Sequence, residues 1–309
     1  MQPLHFCKRK MKFVSFESYK ISKLSLGTVQ FGLNYGIANI SGQPTQDEVN
    51  KIVNYVIDNG ITCFDTAQAY GDSEIVLGQT IESKENIFLI SKLKSEKFQN
   101  NSIENVLYSL QNLGKKSLFG LLLHDSTLLY SWKEKNSEDI KILKEKELIK
   151  YFGVSIYTSE DFDLAIKNDD ITFIQIPFSV FDLRAIHEKW FERAKEKGKL
   201  IFIRSIFLQG LLLMNINEVP EKLTKAKQHL EIFEQFAFEL NMSKSELALS
   251  FVETIAKNSI LLFGCDTLEQ AKENIKSYEE IKQLDKALVE EIIESFSSVS
   301  EDIYLPTRW

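Results

Sequence analysis

The sequence has few of the residues that build disulfide frameworks and metal centres. Only three of its 309 residues are cysteines, and only four are histidines. The cysteines are widely separated and odd in number, which favours a reducing compartment and predicts no disulfide framework. No histidine is paired with a second ligand at metal-site spacing, so we expect no metal site. The residues concerned are Cys7, Cys63, Cys265, His5, His124, His187 and His229.

Long apolar runs and an excess of positive charge are also missing. No run of about 18 apolar residues occurs, and the basic start MQPLHFCKRKMK lacks the apolar core of a secretory signal, so we expect a cytoplasmic protein. The net charge is -7 and the pI is near 5.4. Nucleic-acid binding needs clustered Lys and Arg, so the charge argues against it. These absences favour a small-molecule partner and leave the oligomeric state open.

The chain shows no linker and no repeat. A chain of 309 residues is long enough for one α/β barrel or two smaller domains. No Pro/Gly/Ser-rich linker or low-complexity segment divides it, so we expect one domain over residues 1–309. Met11 is an alternative start, which would make residues 1–10 a disordered or spurious extension. No G-x-G-x-x-G follows a candidate strand, so a Rossmann dinucleotide site is not indicated.

Eight short apolar runs alternate with amphipathic stretches. Runs that are apolar on both faces are typical of a parallel sheet covered by helices. Eight of them in a chain of this length predict a (β/α)8 TIM barrel rather than an open doubly wound sheet. An N-terminal β-hairpin is predicted in MKFVSFESYKIS, and extra C-terminal helices follow the eighth strand. The predicted strands are 23–28, 61–66, 86–92, 117–124, 150–155, 172–177, 199–205 and 259–264.

Helix signals lie between these strands. Thr45 and Glu48 form a predicted capping box, apolar residues then repeat at helical spacing, and Gly60 supplies a left-handed stop. Single helices are also predicted over AIHEKWFERAKEKG and over KLTKAKQHLEIFEQFAFEL.

Polar residues follow several of the predicted strands. In a (β/α)8 barrel, reactive side chains lie at the carboxyl ends of the strands, so these residues converge on one face. Taken singly, each has an ordinary explanation: an Asp caps a turn, a Lys is solvated, a His is a satisfied core residue. Their joint occurrence at successive strand ends favours a functional site. They are Asp65, Lys92, His124, Ser155, Gln175 and Arg204.

Tyr70, five residues after Asp65, completes a set suited to donating a proton to a carbonyl. A free phenol has a pKa of about 10 and is a weak acid near neutrality. We expect the Lys92 ammonium to stabilise the phenolate and Asp65 to hold Lys92 in place. A neutral His124 can donate a hydrogen bond to the substrate oxygen and polarise the carbonyl.

These residues stand in motifs that resemble the aldo-keto reductase superfamily, in its bacterial branch, over almost the whole chain. The resemblance implies a (β/α)8 barrel and hydride transfer between a nicotinamide cofactor, NADP or NAD, and a carbonyl or alcohol. It matches the family's catalytic tetrad to Asp65, Tyr70, Lys92 and His124. The motifs are LGTVQFG with a later YG (26–36), DTAQAYGDSEIVLG (65–78), LISK, LLLHD, GVS, QIP, RSIFLQGLL (204–212) and FGCDTLEQAKEN (263–274).

The resemblance also implies a set of cofactor-binding residues. Ser155 and Gln175 fall where the family holds the nicotinamide carboxamide, although Ile156 replaces the usual Asn after the Ser. Arg204 falls where many members stack an aromatic ring on the nicotinamide, and a planar guanidinium can stack there too. The remaining cofactor-binding residues, for the pyrophosphate and the adenosine, are Ser205, Leu208, Gly210, Gly264, Asp266, Gln270, Glu273 and Asn274.

The 2'-phosphate position departs from the NADP-preferring pattern. Such members commonly place Lys, Arg or Ser/Thr groups after the eighth strand, where this chain has Asp266. A carboxylate repels a phosphate but accepts hydrogen bonds from ribose hydroxyls, which favours NAD. Two alternatives stay open: Asp266 is the N-cap of the next helix, or Lys272 supplies a phosphate contact. NAD and NADP therefore both remain candidates.

The substrate is predicted only as a class. The sequence indicates an NAD(P)H-dependent reductase of an aldehyde or ketone, with Tyr70 as the general acid, and a sugar-derived carbonyl is one candidate. Asn34, Tyr35 and Tyr157 either line the mouth or are exposed loop residues with no role. The tail residues Tyr304, Arg308 and Trp309 are candidates for covering the mouth, and the alternative for Trp309 is to fill a groove on the barrel side. A non-catalytic redox sensor that binds the cofactor on the same fold is the alternative function.

Overall fold

The computed structural model describes residues 11–309. The predicted extension at residues 1–10, with His5 and Cys7, lies outside the described residues. No helix within residues 11–309 is long and apolar enough to cross a membrane.

Eight parallel strands close into a barrel, as predicted. Each barrel strand pairs with the next one along the chain, and the last pairs with the first, which closes the barrel. Their side chains are almost all buried because helices cover the outside. The strands are β3 (Leu24–Gly27), β4 (Cys63–Asp65), β5 (Phe88–Leu93), β6 (Leu118–Leu123), β7 (Ile149–Ser155), β8 (Phe173–Pro177), β9 (Leu200–Arg204) and β10 (Ile260–Phe263).

The predicted N-terminal hairpin closes one end of the barrel. Strands β1 (Phe13–Phe16) and β2 (Tyr19–Ser22) pair antiparallel. The Phe16 ring lies 5.3 Å from that of Tyr151, and the Tyr19 ring lies 5.1 Å from that of Phe119, both edge-on. Because these partners sit near the starts of their strands, the hairpin covers the amino end of the barrel. The carboxyl ends of the strands stay open for a site.

Thirteen helices are described outside the barrel strands. Short 3-10 turns accompany them at Thr127–Ser131, Leu208–Leu213, Ile216–Glu218, Glu221–Ala226 and Pro306–Arg308. The helices are α1 (Val29–Gly32), α2 (Gln46–Asp58), α3 (Ser73–Ile81), α4 (Ser95–Leu113), α5 (Glu134–Glu145), α6 (Ser159–Lys167), α7 (Arg184–His187), α8 (Trp190–Glu196), α9 (Lys227–Glu239), α10 (Lys244–Ile255), α11 (Leu268–Glu279), α12 (Lys286–Phe296) and α13 (Glu301–Tyr304).

The two single helices predicted over 185–198 and 222–240 are wrong in detail. Residues 185–198 break between α7 and α8, where Lys189 has a left-handed φ of 57°. The break lets the buried Trp190 stack on Phe162, with ring centroids 4.7 Å apart. In the second segment, the first turn is a 3-10 helix and the α-helix begins at Lys227.

The capping box predicted at the start of α2 is half present. The Thr45 side chain accepts a hydrogen bond from the Glu48 N–H, and Gly60 has a left-handed φ of 85° after the helix, as predicted. The Glu48 carboxylate instead accepts a hydrogen bond from the Leu268 N–H at 2.8 Å, at the start of α11. The Glu48 side chain therefore makes a long-range contact with α11 instead of the second hydrogen bond of the capping box.

Candidate active site

Four polar side chains meet at the carboxyl ends of neighbouring strands. Asp65 is the last residue of β4, Lys92 lies near the end of β5, and His124 directly follows β6. Tyr70 lies in the loop between β4 and α3. Parallel strands end at one edge of the barrel, so the strand-end residues and this loop converge on one place.

Two glycines fix the loop that carries Tyr70. A Cβ on Gly32 would lie 1.8 Å from the Tyr70 carbonyl oxygen, and a Cβ on Gly71 would lie 2.3 Å from the Gly32 carbonyl oxygen. Gly71 also has a left-handed φ of 54°, which glycine adopts most readily. The loop therefore packs backbone to backbone on the end of α1, and this packing positions Tyr70.

The ammonium group of Lys92 has a partner for each of its three donors. It donates to Asp65 Oδ2 at 2.5 Å, to the Thr66 carbonyl at 2.9 Å and to the Tyr70 hydroxyl at 3.4 Å. The side chain is fully buried, and burial lowers the pKa of Lys92 while Asp65 opposes that change. A buried charge needs a partner of this kind.

Gln175 fixes the other oxygen of the same carboxylate. Its Nε2 donates to Asp65 Oδ1 at 2.9 Å, and both residues are buried. Ser155, at the end of β7, is the register partner of Gln175 on β8. The predicted nicotinamide-amide residues therefore adjoin the Asp65–Lys92 pair.

The pKa of Tyr70 moves in the direction opposite to the sequence prediction. Burial raises it far above its ordinary value, and Asp65 adds to that rise. The Lys92 charge is already compensated by Asp65, and the cation that lowers the Tyr70 pKa is Arg204. Tyr70 is therefore a neutral phenol at neutral pH.

His124 is neutral and has an unused ring nitrogen. Its ring meets Tyr70 edge-on at 5.2 Å between centroids. Burial, followed by the charges of Lys92 and Arg204, lowers the pKa of His124 to about 3. Its Nδ1 is buried and has no hydrogen-bond partner within the described part of the chain. An orphaned polar atom of this kind is suited to a bound ligand.

Arg204 forms a flat cation beside the tetrad. Its guanidinium lies 4.0 Å from the centre of the Tyr157 ring, and its Nη2 donates to the Ile156 carbonyl at 2.8 Å. Its Nη1 donates to the Ser205 hydroxyl at 3.3 Å. The guanidinium is thus held in one plane at the end of β9.

The loop after β9 follows a strained path. Ser205, Leu208 and Gln209 all have left-handed φ values, of 64°, 48° and 55°, and Gly210 follows at 94°. A Cβ on Gly210 would lie 2.5 Å from the Ala38 Cβ, so this loop contacts the segment after α1. Backbone strain in non-glycine residues clusters at binding sites.

Arg184 connects the C-terminal tail to the backbone of Tyr157, beside Arg204. The Arg184 guanidinium lies 5.0 Å from the centre of the Tyr304 ring, and its Nη1 donates to the Tyr157 carbonyl at 2.5 Å. The Trp309 indole instead donates to the Asp302 carbonyl within the tail.

In the turn after β10, the structure does not support the alternative in which Asp266 caps the next helix. Thr267 is the N-cap of α11, and its side chain accepts from the Gln270 N–H. Asp266 instead accepts a hydrogen bond from Asn39 Nδ2 at 3.0 Å, while its own N–H donates to Gln270 Oε1 at 2.7 Å. Lys272 donates to Glu269 at 2.6 Å.

The other predicted cofactor residues of this turn lie beside it. Asn274 Nδ2 donates to the Gly264 carbonyl at 3.5 Å, and Glu273 is exposed on α11. A Cβ on Gly264 would lie 2.4 Å from Gln30 Nε2, so the turn also adjoins α1.

The aldo/keto reductase family model matches residues 23–295 of the chain. The chain belongs to this family. A curated relative, the uncharacterized oxidoreductase YqkF of Bacillus subtilis, is 24% identical over 93% of this chain and 99% of its own.

Solved structures of bacterial aldo-keto reductases share the fold. The holo form of the reductase AKR11C1 from Bacillus halodurans superposes with a TM-score of 0.77, at 20% identity over 97% of this chain and 99% of its own. A Klebsiella pneumoniae aldo-keto reductase in complex with NADPH gives a TM-score of 0.70, at 18% identity over 93% of this chain and 95% of its own.

Two residues that contact the predicted cofactor turn were missed in the sequence. Asn39 contacts Asp266 from the segment after α1, and Glu48 contacts the start of α11 from α2. Asn39 stands in an unstructured run, and Glu48 was explained by its local capping pattern. Neither position carries a signal in the sequence that distinguishes it from a surface residue.

Proposed function

We propose that this protein is an NAD(P)H-dependent oxidoreductase that reduces an aldehyde or ketone to the alcohol, with Tyr70 as the proton donor. The observation that supports this proposal most directly is the hydrogen bond from Lys92 Nζ to the Tyr70 hydroxyl at 3.4 Å. An ammonium only donates, so the phenol oxygen accepts this bond. The Tyr70 proton is then free to point toward a substrate oxygen.

The described residues fit a nicotinamide cofactor. The unpartnered His124 Nδ1 and the planar Arg204 cation lie in one region with Tyr70, where a nicotinamide and a carbonyl would meet. Ser155, Gln175 and Arg204 would hold the nicotinamide, and residues of 205–210 and 264–274 the rest of the dinucleotide. The family relative from Klebsiella pneumoniae that binds NADPH supports this assignment.

Each tetrad residue has a distinct task in the proposed reaction. A bound nicotinamide cofactor supplies the hydride. His124, neutral because of its lowered pKa, orients the carbonyl without adding charge. Tyr70 gives its proton to the carbonyl oxygen. The charge of Arg204 and the hydrogen bond from Lys92 stabilise the phenolate that remains. Asp65 and Gln175 hold Lys92 in place throughout.

The test is consumption of NADH and NADPH with a panel of aldehydes and ketones, sugar aldehydes included. The variant Tyr70→Phe keeps the ring and removes the proton. We expect it to lower kcat by about 10²- to 10⁴-fold, the usual contribution of a general acid, and to leave cofactor binding unchanged.

The matched control is Tyr108→Phe, since Tyr108 is exposed on α4. It should retain wild-type turnover. Undiminished turnover in Tyr70→Phe would refute the assigned acid. Wild-type protein that binds the cofactor but turns over no carbonyl would favour the redox-sensor alternative.

A further inference from the structure

A carboxylate from another helix occupies the start of α11. The Leu268 N–H donates to Glu48 Oε1 at 2.8 Å, and the Gln270 N–H donates to the Thr267 hydroxyl at 3.2 Å. The free N–H groups and positive dipole at a helix start form a natural anion site. Here the anion at that site belongs to the protein itself.

Further negative charge surrounds this helix start. Asp266 is only 8% exposed, and its carboxylate accepts a hydrogen bond from Asn39 at 3.0 Å. Burial raises the pKa of the neighbouring Cys265, and the charges of Asp266 and Glu48 raise it further. Both carboxylates raise the Cys265 pKa, as negative charges do.

The nearby lysines are engaged with carboxylates. Lys272 donates to Glu269 at 2.6 Å. Lys51 lies 2.6 Å from Asp47 and 3.8 Å from the second oxygen of Glu48. Each ammonium group is therefore paired with a carboxylate, and the alternative in which Lys272 contacts the 2'-phosphate lacks support in these contacts.

We propose that Glu48 sets the dinucleotide preference of this protein by excluding the 2'-phosphate, so that NADH binds more tightly than NADPH. The inference rests on the proposed function, in which the adenosine end of the cofactor lies against residues 264–274. A 2'-phosphate would compete with Glu48 for the helix N–H groups and be repelled by its charge. A ribose hydroxyl can instead donate a hydrogen bond to a carboxylate.

The experiment measures binding without turnover. Intrinsic fluorescence titrations give the Kd values of NADH and NADPH, and of the probes adenosine 5'-monophosphate and adenosine 2',5'-bisphosphate. The variant Glu48→Gln keeps an oxygen that can accept from Leu268 N–H but loses the charge. Asp58→Asn, an exposed carboxylate at the other end of α2, is the matched control, and thermal melts check that both variants fold.

We expect wild-type protein to bind NADH about tenfold more tightly than NADPH, and Glu48→Gln to reduce this ratio about five- to tenfold, the scale for two unit charges about 4 Å apart that are screened as in water. Asp58→Asn should keep the wild-type ratio. The two adenosine probes should show the same order.

Tighter binding of NADPH to wild-type protein, or a ratio unchanged in Glu48→Gln, would overturn the inference and leave the proposed reductase function standing. If Glu48→Gln does not fold, the two adenosine probes on wild-type protein decide, and tighter binding of the bisphosphate overturns the inference. Binding of neither dinucleotide would overturn the proposed function together with the inference.

Discussion

The tetrad and the start of α11, the two ends of the proposed cofactor site, are built from contacts of different range. At the tetrad, Lys92 contacts Asp65 and Tyr70, which are 27 and 22 residues away in the chain. At the start of α11, Leu268 contacts Glu48 across 220 residues, and Asp266 contacts Asn39 across 227. The Lys92 contacts join β5 to β4 and to the loop after β4, whereas the contacts at α11 join a late part of the chain to a helix and a loop near its start.

The barrel itself fixes the positions of the tetrad residues, whereas the contacts at α11 depend on elements that pack on the barrel. The tetrad residues sit where strands of a closed barrel must end together, so their positions follow from the strand pattern. The groups at α11 depend on how α2 and the segment after α1 pack on the last strand. We therefore expect the tetrad to be costly to alter and the α11 end to be tolerant.

The largest effect is expected at the tetrad, from Lys92→Met. The variant leaves the buried Asp65 carboxylate without its cation, and removal of one partner of a buried pair costs about 3–5 kcal/mol of unfolding free energy. Urea unfolding measures the loss, and adding Asp65→Asn should recover part of it.

The control is Lys51→Met, since Lys51 pairs with Asp47 on the solvent-exposed face of α2 and should matter little. If Lys92→Met is as stable as this control, the tetrad is no more costly to alter than the surface of α2.

The fold and the tetrad could be predicted because both depend on local patterns. The eight predicted strands all appear, since each is a short apolar run that needs burial on both faces. The break before Trp190 was not predictable, because it accompanies a contact with another helix, the stacking of Trp190 on Phe162 of α6. The direction of the Tyr70 pKa was also missed, because burial is a property of the assembled site.

The next effect is expected from His124→Gln and depends on pH. The folded pKa of His124, about 3, lies below the ordinary value of 6.5, so the unfolded chain binds a proton at pH 5 and the folded chain does not. His124 therefore lowers stability as pH falls from 7 to 5, by about 2 kcal/mol, and the loss continues toward pH 3. Urea unfolding at pH 7 and 5 should show this loss reduced by about that amount in His124→Gln.

His187→Gln is the control, because His187 is exposed on α7 and its loss should leave the wild-type difference between the two pH values. If His124→Gln shows the same stability difference between pH 7 and pH 5 as the wild type, His124 is already charged at pH 5 in the folded protein.

The contacts at α11 could not be predicted from the sequence, and the reason is physical. Glu48 has a sufficient local explanation in its capping pattern, and Asn39 stands outside the predicted helices and strands. Only the packing of α2 beside α11 turns the Glu48 carboxylate to Leu268. The turn around Asn39 likewise meets Asp266 only in the assembled barrel.

The smallest effect is expected at this end, from Asn39→Ala. The Asn39 Oδ1 accepts from the Ser41 and Gly42 N–H groups at 3.0 and 2.8 Å, and its Nδ2 donates to Asp266. Loss of these bonds should open the segment locally, so the two amides should exchange hydrogen about tenfold faster, equivalent to about 1.4 kcal/mol. The free energy of global unfolding should change by less than about 1 kcal/mol, because the barrel is untouched.

Gln235→Ala, which removes the hydrogen bond to Glu239 on the exposed face of α9, serves as the control and should leave the exchange of both amides unchanged. If Asn39→Ala destabilises the whole protein as much as Lys92→Met, the α11 end is as integral to the barrel as the tetrad, and the contrast between the two ends fails.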